Sequence, residues 1–331
     1  MRTSEASSDA SDLNDRGEAI YDAGDFPGSI RLFDAIIDMP NAPLDQVTRA
    51  LINRGLAKEE LGNTLEAIND CTAVIEMPNV LSADRAQALI NRGVMKTHLG
   101  DSQGAISDYT AVIEMANVPT DQVVQAYFSR ALSKGRLDDL HDAIKDYSAA
   151  IAIPDIAMVQ IANAYFNRAL AKRRLGDIVG EIGDYTSIIG LSSISSEQSA
   201  KALNNRGVAK DELGDYRGAV EDYSTIIRLP DVLPNQIAQA LNNRGVTRGK
   251  LDDKQGAIAD YTKVIEMSGA SPNELMQAYR NRARTRHAIG DKHHAMEDIV
   301  RMLRMYRDVD VAPTLRERIT LWVYEAVLKF S

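Results

Sequence analysis

Seven arginine–aspartate pairs recur along the chain at one spacing. Arg54 and Asp70, Arg92 and Asp108, Arg130 and Asp146, Arg168 and Asp184, Arg206 and Asp222, Arg244 and Asp260, and Arg282 and Asp298 each lie 16 residues apart. Such a series can bind itself together, or it can offer a charge ladder to a carboxylate or phosphate ligand. The acid travels with the base in all seven pairs, so a buried salt bridge between helices or between neighbouring units is expected. Lys58, Lys96, Lys134, Lys172 and Lys210 follow their arginines by one helical turn and are placed to share the carboxylate. An asparagine stands immediately before the arginine at Asn53, Asn91, Asn167, Asn205, Asn243 and Asn281, with Asp15 and Ser129 interrupting the series. Successive helical residues are turned by about 100°, so this amide cannot point where the arginine points. An amide donates and accepts at once, which suits an extended peptide backbone. Its alternative use is a hydrogen bond to a neighbouring helix.

Signals for catalysis are weak. The five histidines are His98, His141, His287, His293 and His294, and only the last three cluster, near Asp291 and Glu297. Solvated surface histidine at a turn is the ordinary reading of such a group. No Gly-rich phosphate loop or nucleophile elbow is present. The single cysteine, Cys71, permits neither an intrachain disulfide nor a thiolate cluster. It stands where other units have tyrosine and is expected to be buried and inert. No catalytic residue, metal or cofactor is expected. The formal charge of −9 and pI near 5.2 argue against a surface that coats nucleic acid or anionic membranes. No apolar run approaches the roughly 18 residues of a membrane span, and the N-terminus lacks a secretory pattern. A cytoplasmic monomer is the expectation.

The elements that position these residues follow from the repeat. The arginines at 16, 54, 92, 130, 168, 206, 244 and 282 are all separated by 38 residues, with no insertion or deletion. In the unit from Ala200 to Pro230, Ala202, Leu203, Arg206, Lys210 and Leu213 have helical spacing. Gly214 stops that helix and Asp215 caps the next. Ala219, Val220, Tyr223, Ile226 and Ile227 then form the stripe of a second helix, ended by Pro230. The turn recurs as Gly62-Asn63, Gly100-Asp101, Gly176-Asp177, Gly214-Asp215 and Gly290-Asp291, with Asp138-Asp139 and Asp252-Asp253 as variants. Capping boxes are expected at Ser195 with Gln198, at Ser271 with Glu274, and at Thr314 with Glu317. Residues 1–12, rich in Ser, Asp and Ala, are expected to form a disordered tail.

These residues resemble the tetratricopeptide repeat family. The resemblance rests on Gly after the first-helix Arg, Gly-Asp at the turn, Ala-Ile opening the second helix, an aromatic soon after and a late Pro. It covers residues 13–306, and the unit is four residues longer than the family's usual 34. The resemblance implies an all-α superhelical solenoid of eight helix-turn-helix units, with helix A of each on the concave face and helix B on the convex face. A unit of this kind is stable only in a stack. Repeat 1 departs from the pattern with Leu32 in place of Asp, and residues 307–331 are expected to form a C-terminal capping helix.

The resemblance further implies a non-enzymatic scaffold that binds a protein or peptide partner in the concave groove. The expected contact residues are the six asparagines, which resemble the asparagine ladder of the O-GlcNAc transferase superhelix, together with Ile52, Ile90, Phe128 and Phe166. Leu56, Val94, Leu132, Leu170, Val208 and Val246, two residues after the arginine, are expected to pack between repeats instead. Ile52 with Leu56, Ile90 with Val94 and Phe128 with Leu132 occupy the places where co-chaperone repeats grip a chaperone's terminal carboxylate, so that activity is not expected. Two rival readings are a regulatory or adaptor subunit of an enzyme complex and a self-assembling solenoid.

Overall fold

Each 38-residue period holds two helices joined by a tight turn. In the computed structural model, residues 2–192 and 194–308 are described, with the side chains of 7–192 and 194–305. These residues contain sixteen helices. The chain divides into two compact units, 1–175 and 176–331. The first holds α1 (Arg2–Asp22), α2 (Phe26–Ile37), α3 (Leu44–Glu60), α4 (Thr64–Glu76), α5 (Ser82–His98), α6 (Ser102–Glu114), α7 (Thr120–Arg136), α8 (Leu140–Ala152) and α9 (Met158–Arg174). The second holds α10 (Ile178–Ile189), α11 (Ser196–Glu212), α12 (Tyr216–Arg228), α13 (Pro234–Lys250), α14 (Lys254–Glu266), α15 (Pro272–Ala288) and α16 (Lys292–Asp308). Odd numbers are helices A and even numbers helices B.

Within each unit the pairs stack in chain order. Each helix B also packs on the next helix A, and most consecutive helices A touch one another, as α3 and α5 or α13 and α15 do. Among the described residues no pair of consecutive helices B makes a comparable contact. A stack whose A helices converge while its B helices spread is curved locally, with helices A on the inner side.

Left-handed residues recur at both kinds of turn among the described residues. The A-to-B turn places Gly62, Gly100, Gly214 and Gly290 at φ of +79 to +86°, and Asp138 and Asp252 take the same conformation at +64° and +62°. The next residue caps helix B: the carboxylates of Asp101, Asp177, Asp215 and Asp253 accept from the backbone N–H three residues on. The B-to-A connector has its own left-handed residue, Asn41, Asn79, Asn117, Asp155, Asp231 or Gly269. Ser195 and Gln198 form a full capping box. Ser271 caps α15 through Glu274 N, but the Glu274 carboxylate turns instead to Asn242.

The core is a series of small clusters, each built from one helix pair and its neighbour. A typical one joins Leu89, Ile90, Ala105, Tyr109, Val112 and Ala126. Gly93 lets helix A approach the ring of Tyr109, since a Cβ there would lie 2.6 Å from Cε1. Gly207 and Gly245 admit Tyr223 and Tyr261 in the same way.

The first repeat corrects one expectation. Residues 2–12 are the start of α1 rather than a disordered tail. Ala10 is fully buried in a cluster with Phe33, Ile36 and Ala50. Counting back 38 residues from Leu44, where α3 begins, gives residue 6, so the repeat register itself extends helix A into this segment. The Ser/Asp/Ala composition is compatible with a helix once Ala10 and Leu13 have a neighbour to pack on. The expected capping helix and the Thr314–Glu317 box lie outside the described residues.

Candidate functional site

The arginine ladder comes first, because it fixes every helix that carries a candidate residue. Nε and Nη2 of Arg92 donate to the two carboxylate oxygens of Asp108 at 3.0 and 2.7 Å. The same bidentate pair forms between Arg54 and Asp70, Arg130 and Asp146, Arg206 and Asp222, Arg244 and Asp260, and Arg282 and Asp298. All these carboxylates are buried. Lys58, Lys96, Lys134 and Lys210 share the aspartate at 2.8–2.9 Å, and Arg248 and Arg286 take that part in the last two repeats. A doubly contacted carboxylate compensates its own desolvation. The pairs therefore serve the fold and leave no charge ladder for a ligand.

The third arm of the arginine was not anticipated. Nη1 reaches the preceding helix B: Arg92 to Thr72, Arg130 to Thr110, Arg168 to Ser148, Arg206 to Thr186, Arg244 to Ser224 and Arg282 to Thr262, at 2.8–3.1 Å. Arg54 meets Asp34 there. Each of those hydroxyls donates to the carbonyl four residues back in its own helix, as Thr110 does to Ile106 O at 2.7 Å. The proton is thus committed and only lone pairs face the arginine. The signal lay in the sequence, since these acceptors also recur every 38 residues and always stand 20 before the next arginine. In repeat 8 the place is taken by Val300.

The asparagines lie half-buried on helices A, and most have partners within the chain. Asn53 Nδ2 donates to Glu18 at 2.7 Å, and Asn243 Nδ2 to Asn204 Oδ1 at 2.9 Å. Asn167 Nδ2 donates to Asn163 O in its own helix. Asn91 Oδ1 accepts from Gln87, while its Nδ2 is buried with no partner.

The apolar neighbours are rearranged relative to expectation. Ile52 and Ile90 do not line a groove: they are 9% and 0% exposed and belong to the core. They pack with Ile37 and Ile75 of the preceding helix B. Phe128 is half-buried, edge-on to Tyr147 with centroids 5.6 Å apart, and Phe166 is likewise half-buried. Of the residues two after the arginine, expected between repeats, Leu56 and Val208 are half-buried against core clusters, whereas the other four face solvent instead. Val94, Leu132, Leu170 and Val246 are 36–41% exposed. An amide or long polar side chain stands seven residues before each of them, at Gln87, Gln125, Asn163 and Gln239. Helices α5, α7, α9 and α13 therefore show solvent a strip of amide, Asn or Ser, and aliphatic.

Two clefts occur at equivalent places in the first unit. One, between repeats 1 and 2, is lined by Glu18, Tyr21, Asp22, Phe33, Asn53 and Leu56. The other, between repeats 4 and 5, is lined among others by Leu132, Arg136, Tyr147, Asn167, Leu170 and Arg174. The helix positions correspond, and the rim charge is opposite.

Elsewhere, Cys71 is fully buried, and burial followed by the Asp70 charge pushes its thiol up to about 12. His293, His294 and Glu297 bring potential ligand atoms within 4.8 Å of one another, all on exposed side chains. His294 is hydrogen-bonded to Asp291 at 2.8 Å, which holds that carboxyl below its ordinary range. His287 is not in the group. Among the described residues no helix is long and apolar enough to cross a membrane.

Comparison with known proteins agrees with this architecture. Residues 238–270 match the tetratricopeptide repeat family. No curated protein matches the chain. Among solved structures, the C-terminal part of a TPR repeat-containing protein from Cytophaga hutchinsonii aligns at TM-score 0.60 and 16% identity, over 80% of this chain and 100% of that one. The apo form of RapI aligns at TM-score 0.60 and 11% identity, over 91% and 98%. The apo form of the quorum sensor NprR from B. thuringiensis aligns at TM-score 0.51 and 13% identity, over 97% and 99%.

Proposed function

We propose that this chain, a tetratricopeptide-repeat protein, is a non-enzymatic scaffold that binds an extended segment of another protein along the solvent-facing strip of its helices A. One observation carries the reading: Val94, Leu132, Leu170 and Val246 stand exposed at a fixed place in the repeat, beside half-buried asparagines. Aliphatic side chains that recur in the open at constant spacing need a reason, and a partner's apolar side chains supply one. The geometry favours an extended ligand. Packed helices lie about 8–10 Å apart, and an extended chain rises roughly 3.3 Å per residue. One repeat then corresponds to about three ligand residues, so every third side chain meets an aliphatic row while the amides reach its backbone. The buried aspartates and the arginines that hold them are engaged with one another in the ladder, which supports binding over catalysis.

The test removes the amides unit by unit. Asn91 and Asn167 in one variant, and Asn205, Asn243 and Asn281 in another, are replaced by Ala, and affinity for a partner captured by the wild-type chain is measured. At least one variant is expected to lose about tenfold, the worth of one or two hydrogen bonds. Unchanged affinity in both removes the amides from the site, and unchanged affinity after Leu132→Ser with Val246→Ser removes the strip itself.

A further inference from the structure

The cleft between repeats 4 and 5 differs from the rest of the strip, and the difference specifies a ligand. Its apolar lining is Leu132, Leu170 and Tyr147, with Arg136 and Arg174 beside them and Asn167 within reach. We propose that this cleft is the specificity pocket of the scaffold, taking an aliphatic or aromatic ligand side chain followed closely by a carboxylate; the inference rests on the function proposed above and deepens it.

Three observations support this occupant. The first is charge. In a chain of net charge −9, two arginines flank an exposed apolar surface here. Arg136 is exposed and makes no ion pair among the described residues. Arg174 holds Asp138 at 2.7 Å and Gly135 O at 3.0 Å, both from its exposed guanidinium. An ion pair so exposed is weak and exchangeable, so an incoming carboxylate can compete for it.

The second is space. Gly135 belongs to α7, and no atom lies within 4 Å of where its Cβ would be. The glycines at Gly93, Gly207 and Gly245 admit a tyrosine ring, but Gly135 admits nothing from within the chain. Glycine inside a helix is destabilising relative to Ala, and what it leaves here is open room in the cleft wall.

The third is an internal contrast. The equivalent cleft of repeats 1 and 2 carries Glu18 and Asp22 where this one carries Leu132 and Arg136. An anionic ligand is repelled there and drawn here, which sets the register of a long extended segment along the first unit.

The experiment uses the full chain and a set of terminally blocked, fluorescein-labelled hexapeptides. In these, Leu, Ile or Phe stands one to three residues before Asp or Glu, and matching peptides carry Asn or Gln. Anisotropy is expected to give at least about tenfold tighter binding for the best acidic peptide than for its amide partner. Arg136→Gln should abolish that preference while leaving the amide peptide's affinity unchanged. Gly135→Leu should abolish binding of both with no fall in Tm. Equal binding of acid and amide peptides, or no binding at all, overturns the proposal. If acidic peptides bind but both variants behave as wild type, the pocket is overturned while the strip stands. If the strip variants Leu132→Ser and Val246→Ser also bind as wild type, the scaffold reading falls with it.

Discussion

Thr110 does two things with one hydroxyl. Its proton goes to Ile106 O, and its lone pair accepts from Arg130 at 3.0 Å. Thr110→Val keeps the shape and leaves one N–H of a half-buried guanidinium without an acceptor, so a loss of about 1–3 kcal/mol is expected in urea unfolding. Asp146→Ala strands both Arg130 and Lys134 and should cost roughly 3–5 kcal/mol. If the two variants are equally stable, the aspartate is not the centre of the joint. Cys71 gives a prediction in pH. Its thiol is raised from 9.0 to about 12 in the folded chain. As pH rises past 9 the unfolded chain releases that proton first and binds fewer protons than the folded one, so stability falls between about pH 9 and 12. The buried hydroxyls of Tyr147, Tyr223 and Tyr261 are raised by burial and act in the same direction. Below that window, Cys71 should react with a thiol reagent at the rate of local opening, and prompt labelling at pH 8 would contradict its burial.

Helices and turns were the most legible level, because a 38-residue period without drift marks them eight times over. The left-handed turn is the clearest case: Asp138 and Asp252 take a left-handed φ where the other repeats have glycine. An L-residue in that region is strained. Asp252→Gly is therefore expected to raise stability by up to about 1 kcal/mol, less the added freedom of the unfolded chain, with a higher Tm as the readout. What sequence could not separate was the inside from the outside of helix A. Ile90 and Val94 are four residues apart, and four residues bring a helix back to within about 40° of the same direction. Periodicity places them on one face; only the position of the preceding helix B decides that Ile90 is covered and Val94 is not. The acceptor hydroxyls were missed for another reason. Thr and Ser have short side chains with weak helical preferences, and their periodicity was visible only once the arginine's third arm was known.

A molecule made of nearest-neighbour contacts should respond to damage locally. Asp108→Ala is expected to speed amide hydrogen exchange most in repeats 2 to 4, and least in repeats 7 and 8. A uniform loss of protection would mean that the chain unfolds as one body. The ends behave as the contact pattern requires. Arg16 has no aspartate at its own repeat's usual place, since Leu32 stands there, and it pairs with Asp12 at the surface. Val300, at the other end, stands where a following arginine would have looked for a hydroxyl.

That three-armed arginine gives the array a grammar. Every internal copy accepts a hand from behind and extends one ahead, so copies are exchangeable, but only whole. Excising residues 55–92 would splice Arg54 directly to Gly93, leaving Arg54 16 residues ahead of Asp108 and still 20 residues behind Asp34. Such a shortened chain should fold, while removal of one residue more or fewer should not. Length, in this protein, comes in quanta.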